Sequence, residues 1–156
     1  MRLAEALSQR AAAVRRVEAL RTRVVGSARY QEGDRPAEDP STLLTEINSV
    51  IDDYEALMRR INRTNSATSM GTGETLTDVL ARRDALRLRH YVLKSAADAA
   101  AGAEHPGYLR QLRSELKMLS ALPVAELRAQ ADLVAQQHRE LDVQIQQRNW
   151  EVDLAD

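Results

Sequence analysis

Three histidines, His90, His105 and His138, are the residues through which this chain could hold a metal. Two imidazoles on facing helices bind zinc or iron when carboxylates complete the shell, and a carboxylate-bridged bundle supplies Glu three residues before each ligating His. Here Arg87 stands three before His90 and Ala135 three before His138. No His-Glu-x-x-His helix motif is present, and His105 sits beside Pro106 in a loop. The reading is no metal, with His90 and His138 as hydrogen-bonded histidines of a core or interface. Covalent chemistry is equally unsupported. There is no Cys to act as nucleophile or thiolate ligand, and no Ser lies in a Gly-x-Ser-x-Gly elbow. Gly71-Thr72-Gly73 lacks the Lys and the preceding strand of a phosphate loop. Asp52 and Asp53 fall on the solvated face of a helix. We expect no enzymatic activity and no cofactor.

Arginine offers a second chemistry. Arg59, Arg60 and Arg63 end one predicted helix, and Arg82, Arg83, Arg87 and Arg89 lie along the next. Arg82 and Arg89 are seven apart and share a helical face. Such a cluster could take an anion or a nucleic-acid backbone. Against this, Glu74, Asp78 and Asp84 are interleaved, and no nearby aromatic residue offers base stacking. A sequence pI near 6.3 is not an electrostatic footprint for nucleic acid. A salt-bridged end of a helical bundle is the plainer account.

Four long helices must position these groups. Leu3, Leu7, Val14, Val17, Leu20 and Val24 make one stripe of a helix over about 3–28. Asp39 is a good N-cap and Pro40 suits the first helical position, opening a second helix over about 40–63. Its stripe is Leu43, Leu44, Ile47, Val50, Ile51, Tyr54, Leu57, Met58 and Ile61. After a polar loop, Thr75 and Asp78 resemble a capping box for a third helix over about 76–101, with Leu76, Val79, Leu80, Leu86, Leu93 and Ala97 inward. Gly102, Pro106 and Gly107 then break the chain. Residues 112–122 read equally as helix or as a short extended segment. A fourth helix over about 124–154 has the seam Leu127, Ala131, Val134, His138, Leu141, Ile145, Arg148 and Val152. The pattern predicts one all-α domain over 1–156, an elongated antiparallel four-helix bundle with coiled-coil-like packing.

A formal net charge of -1 over 156 residues conceals segregation. Residues 1–30 carry +5 and residues 31–58 carry -7. The simplest reading is two helices pairing side by side through complementary faces. No secretory signal is visible at Met1–Leu7, and no stretch approaches the roughly 18–20 apolar residues of a spanning helix. The first helix is basic and amphipathic, but has no Trp or Phe to anchor it in a membrane interface.

Several stretches resemble the septicolysin-like family of small uncharacterised bacterial helical proteins. They are Met1–Leu7, Ile61-Asn62-Arg63-Thr64-Asn65, Leu76–Asp84 with its Ala-Arg-Arg-Asp, and Glu140-Leu141-Asp142 followed by Asn149-Trp150. The resemblance spans nearly the whole chain. It implies one constellation around the turn between the second and third helices: Asn62, Arg63, Asn65, Asp78, Arg82, Arg83 and Asp84. It also favours extended structure around Leu116-Lys117-Met118, and the family label implies a cytolysin. The constellation reads either as a buried polar network that fixes the turn or as a ligand or partner site.

The expected role is that of a non-catalytic structural or interaction protein, cytoplasmic, and acting as a helical homo-oligomer, since narrow Leu/Val/Ala seams leave apolar surface for a second copy. A different protein partner is left open. One alternative is a binding module for an anionic ligand or nucleic acid at the turn between helices two and three. Another is a membrane-active protein using the basic first helix. Nucleic acid and membrane are both disfavoured as partners.

Overall fold

The computed structural model describes residues 1–71, 73–103 and 116–156. Four α-helices are present among them: α1 Leu3–Ser27, α2 Pro40–Ala67, α3 Leu76–Ala100 and α4 Val124–Glu151. No strand or sheet accompanies them, only two isolated antiparallel bridges, Arg2 with Asp153 and Ser69 with Thr75. The all-α expectation holds. Residues 117–120 form neither helix nor strand. His105, and the part of the extended reading that falls on 112–115, lie outside the described residues. The chain divides into two compact units: Met1–Leu76 with Gln146–Asp156, and Thr77–Ile145.

In the first unit α1 and α2 run antiparallel, because the loop between them reverses the chain. Leu20, Leu43 and Ile47 form a buried cluster, with Val17, Val24 and Val50 packed against it. The basic and acidic blocks meet as the charge pattern predicts. Arg16 bonds Glu46 at 2.8 Å, and Arg23 grips Glu38. Several residues of the predicted stripes stay exposed, however: Val14, Leu44 and Ile51. Within this unit each of the two helices meets chiefly one partner, so a narrow strip of each is covered.

Asp39 caps α2 as its sequence predicts. Its carboxylate accepts from the Ser41 N–H at 3.0 Å and the Thr42 hydroxyl at 2.7 Å, with Pro40 in the first turn. Those two donors, the Thr42 hydroxyl first, hold the Asp39 carboxyl below its ordinary range. The hydrogen bond from Arg23 does the same for Glu38. A carboxyl whose folded pKa is depressed stabilises the fold above its unfolded pKa. That contribution is lost as pH falls through the folded value. The protein should therefore lose melting temperature on acidification below the usual carboxylate range, as thermal denaturation followed by circular dichroism would show. Asp39→Ala should melt a few degrees lower at neutral pH and show a shallower acid slope.

The far end of α2 runs four residues past the predicted boundary at 63. Thr64 and Thr68 are buried, and each hydroxyl returns a hydrogen bond to a carbonyl one turn back, on Arg60 and Thr64. Those internal bonds satisfy hydroxyls that burial would otherwise leave without a partner. A tight reversal follows. The Met70 N–H reaches the Glu74 carbonyl and the Leu76 N–H the Thr68 carbonyl. Gly71 and Gly73 adopt φ of 93° and 79°, left-handed values that favour glycine.

The fourth helix ends at Glu151, three residues before the predicted limit. Val152–Leu154 leave it to lie antiparallel to the start of the chain. The Leu3 N–H donates to the Val152 carbonyl and the Leu154 N–H to the Met1 carbonyl, both at 2.9 Å. Leu154 is buried. The Ala155 N–H bonds the Thr64 hydroxyl at 2.9 Å, and Arg60 Nε donates to the Ala155 carbonyl at 2.8 Å. This satisfies a first-turn donor of α1 that no residue of its own helix can reach.

In the second unit α3 and α4 run antiparallel, with Arg83 facing Asp142 at 3.7 Å. Val79, Leu86 and Ala97 of α3 are buried, as are Ala131, Val134, Leu141 and Ile145 of α4. The predicted seams of both helices are thus the covered ones.

Candidate functional site

The residues implied by the family resemblance distribute over both units. Asn62, Arg63 and Asn65 fall on the last turns of α2 in the first unit. Asn62 and Arg63 are exposed and Asn65 is half-buried. Asp78, Arg82, Arg83 and Asp84 occupy the first turns of α3 in the second unit. Among these, Arg83 and Asp84 are joined at 3.1 Å, and Arg83 also reaches Asp142. Asp84 in turn approaches Arg87 at 3.8 Å. Asp78 and Arg82 are not free of partners. The Arg83 side chain is 28% exposed, so its guanidinium joins the two helices where water is partly excluded.

Two hollows flank the α3–α4 seam in this unit. One, of about 450 Å³, is lined by Arg82, Arg89, Gln137, Glu140 and Gln144 over Leu86 and Leu141. The seven-residue spacing does place Arg82 and Arg89 together, but a carboxylate shares their wall. The other, of about 210 Å³, is lined by Arg87, His90, Ala135, His138 and Arg139. His90 and His138 therefore face one space. Both are half-buried, and neither makes a side-chain hydrogen bond to the described residues. Of the expected hydrogen-bonded core or interface histidines, the structure shows two half-buried imidazoles lining one hollow. Their seam positions signalled the pairing; Arg87 stood out only as one of the helix-three arginines, and Arg139 carried no signal, because basic residues are spread along both helices. Among the described residues no three His, Cys, Asp or Glu side chains converge as metal ligands.

A third hollow belongs to the first unit. It occupies about 430 Å³ between α1 and α2, with Ala12, Ala13, Ala56 and Leu57 as its floor and Arg16, Asp53 and Arg60 at its edge.

Residues 10–154 match the model of a family of unknown function, DUF6847. The chain belongs to this family. A solved structure, a functionally unknown conserved protein from Corynebacterium diphtheriae, is 42% identical to it. That likeness covers 99% of each chain with a TM-score of 0.91. No curated protein matches. The DUF6847 assignment overturns the septicolysin-like resemblance, and with it the cytolysin it implied. The stretches that carried the resemblance hold structural places: Ile61–Asn65 lies within the last turns of α2, and Met1–Leu3 pairs with the C-terminal segment.

Proposed function

We propose that this member of the DUF6847 family is a non-catalytic helical interaction protein of the cytoplasm that self-associates through the outer face of α3. One observation carries the reading. Leu88, Tyr91 and Val92 are 64%, 69% and 62% exposed, and their spacing puts all three on one face. A lone exposed Leu is ordinary on a protein surface, but three large apolar side chains in a contiguous patch mark an interaction surface. Tyr is also among the side chains enriched where interfaces are strongest. The compartment rests on the sequence alone.

The alternatives have less behind them. At the turn between α2 and α3, Arg83 and Asp84 are already engaged with each other. For membrane activity, no helix among the described residues is long and apolar enough to cross a membrane.

Sedimentation across micromolar concentrations tests the reading. The wild type should sediment as a dimer or larger. The triple variant Leu88→Ser, Tyr91→Ser, Val92→Ser should keep its helical circular dichroism and dissociate about a hundredfold more readily, at roughly 1 kcal/mol for each side chain. A monomeric wild type, or a triple variant that stays assembled, refutes the proposal.

A further inference from the structure

The smaller hollow on the α3–α4 pair is walled by basic side chains without a carboxylate. From α3 come Arg87 and His90, and from α4 come His138 and Arg139, while Ala135 leaves the space between them open. Its charge is only partly offset, by the ion pair of Arg87 with Asp84 at 3.8 Å. The carboxylates one turn away, Asp84 and Asp142, are shared with Arg83 at 3.1 and 3.7 Å. Arg87 competes for Asp84 from the longer distance of 3.8 Å. Arg139 is in no ion pair among the described residues. The hollow on the opposite side of the seam differs in this respect, since Glu140 lies beside its arginines.

Guanidinium groups stay charged in proteins and present planar forks of N–H donors that match oxyanions. Two of them at one hollow penalise any cation, so a metal held by the two imidazoles is opposed by its surroundings. An imidazole offers an N–H donor and gains charge when it takes a proton. Four donor groups converging from two helices suit a tetrahedral anion with several acceptor oxygens better than a carboxylate with two. A space of about 210 Å³ bounded by a turn or two of each helix suits a small molecule rather than a polymer track.

We propose that this hollow binds a small phosphate-bearing anion, with Arg87 and Arg139 pairing with its oxygens and His90 and His138 donating to it. The site does not depend on self-association, because all its residues belong to one chain and none is part of the apolar stripe of α3.

Calorimetric titration of the full chain with pyrophosphate and with inorganic phosphate, in phosphate-free buffer, provides the test. We expect one saturable site per chain, with pyrophosphate the tighter ligand. Arg139→Gln should weaken it at least about tenfold, and His138→Gln with Arg139→Gln should abolish it. Arg89→Gln, in the opposite hollow, should leave it unchanged. Arg139 is exposed, so its single variant decides the matter even if substitution at His138 disturbs packing. Absence of saturation at millimolar pyrophosphate, or equal affinity in Arg139→Gln, overturns the proposal. So does zinc binding that requires both histidines, or binding confined to phosphatidic-acid vesicles.

Discussion

Deleting residues 152–156 should destabilise the unit built on α1 and α2 by about 4–9 kcal/mol. Leu154 is 7% exposed, and burying a leucine contributes roughly 1.5–3 kcal/mol. Four hydrogen bonds to residues 1–64 leave with the segment: Leu3 to Val152, Leu154 to Met1, Ala155 to Thr64, and Arg60 to Ala155. Each is worth about 0.5–1.5 kcal/mol net. The larger cost lies in what is left behind. The buried Thr64 hydroxyl loses a donor, and the first turn of α1 loses the acceptor of its Leu3 amide. Urea unfolding reads the effect directly. Leu154→Ala alone should account for about 2 kcal/mol of it. A truncated chain with an unchanged urea midpoint would mean that the segment is an ornament on a fold that stands without it.

The second large effect belongs to the middle of the same helix pair. Leu20→Ala should cost about 2–5 kcal/mol, the range for emptying a leucine site whose neighbours close in only partly. Leu20 is 2% exposed against Leu43 and Ile47, with Val17, Val24 and Val50 around them. Val25→Ala, five residues on along α1, should change stability by no more than about 0.5 kcal/mol, since Val25 is 65% exposed. The contrast between the two positions measures how narrow the covered strip of α1 is. Equal losses at both would place a second packing surface on the helix.

The helices were legible because their signals are local. Asp39-Pro40 marks the start of α2 within two residues, and the spacing of Leu127, Ala131, Val134, His138, Leu141 and Ile145 marks the covered face of α4. What escaped the sequence depends on distant partners. Thr64 and Thr68 look like loop residues until their hydroxyls are seen returning to α2 carbonyls. Val152–Leu154 continue a helical stripe by type, yet leave the helix because Met1 and Leu3 offer backbone partners almost the full chain length away. Val14, Leu44 and Ile51 fit their stripes but lie outside the strip that is covered. At the candidate site, the two histidines were visible as seam positions. Arg87 was visible only as one of a run of arginines and Arg139 not at all, because what pairs them is a hollow opened by Ala135. The resemblance to a cytolysin-labelled family drew on short motifs whose residues serve helix ends, and the DUF6847 match over residues 10–154 replaces it.

The pairing of the two ends of the chain also sets an order of events. Thr64 and Arg60 meet Ala155 across separations of 91 and 95 residues, and the whole of Thr77–Ile145 is strung between them. During synthesis α1 and α2 can zip together as soon as both have emerged, since their contacts need nothing later. The Leu3 amide must wait for Val152, however, and so α1 emerges before α4 yet is completed after it. Closing a loop of that length costs only slowly more entropy as the loop grows. The α3–α4 unit is therefore an insertion, and the early helix pair reaches full stability only once the insertion has been completely translated.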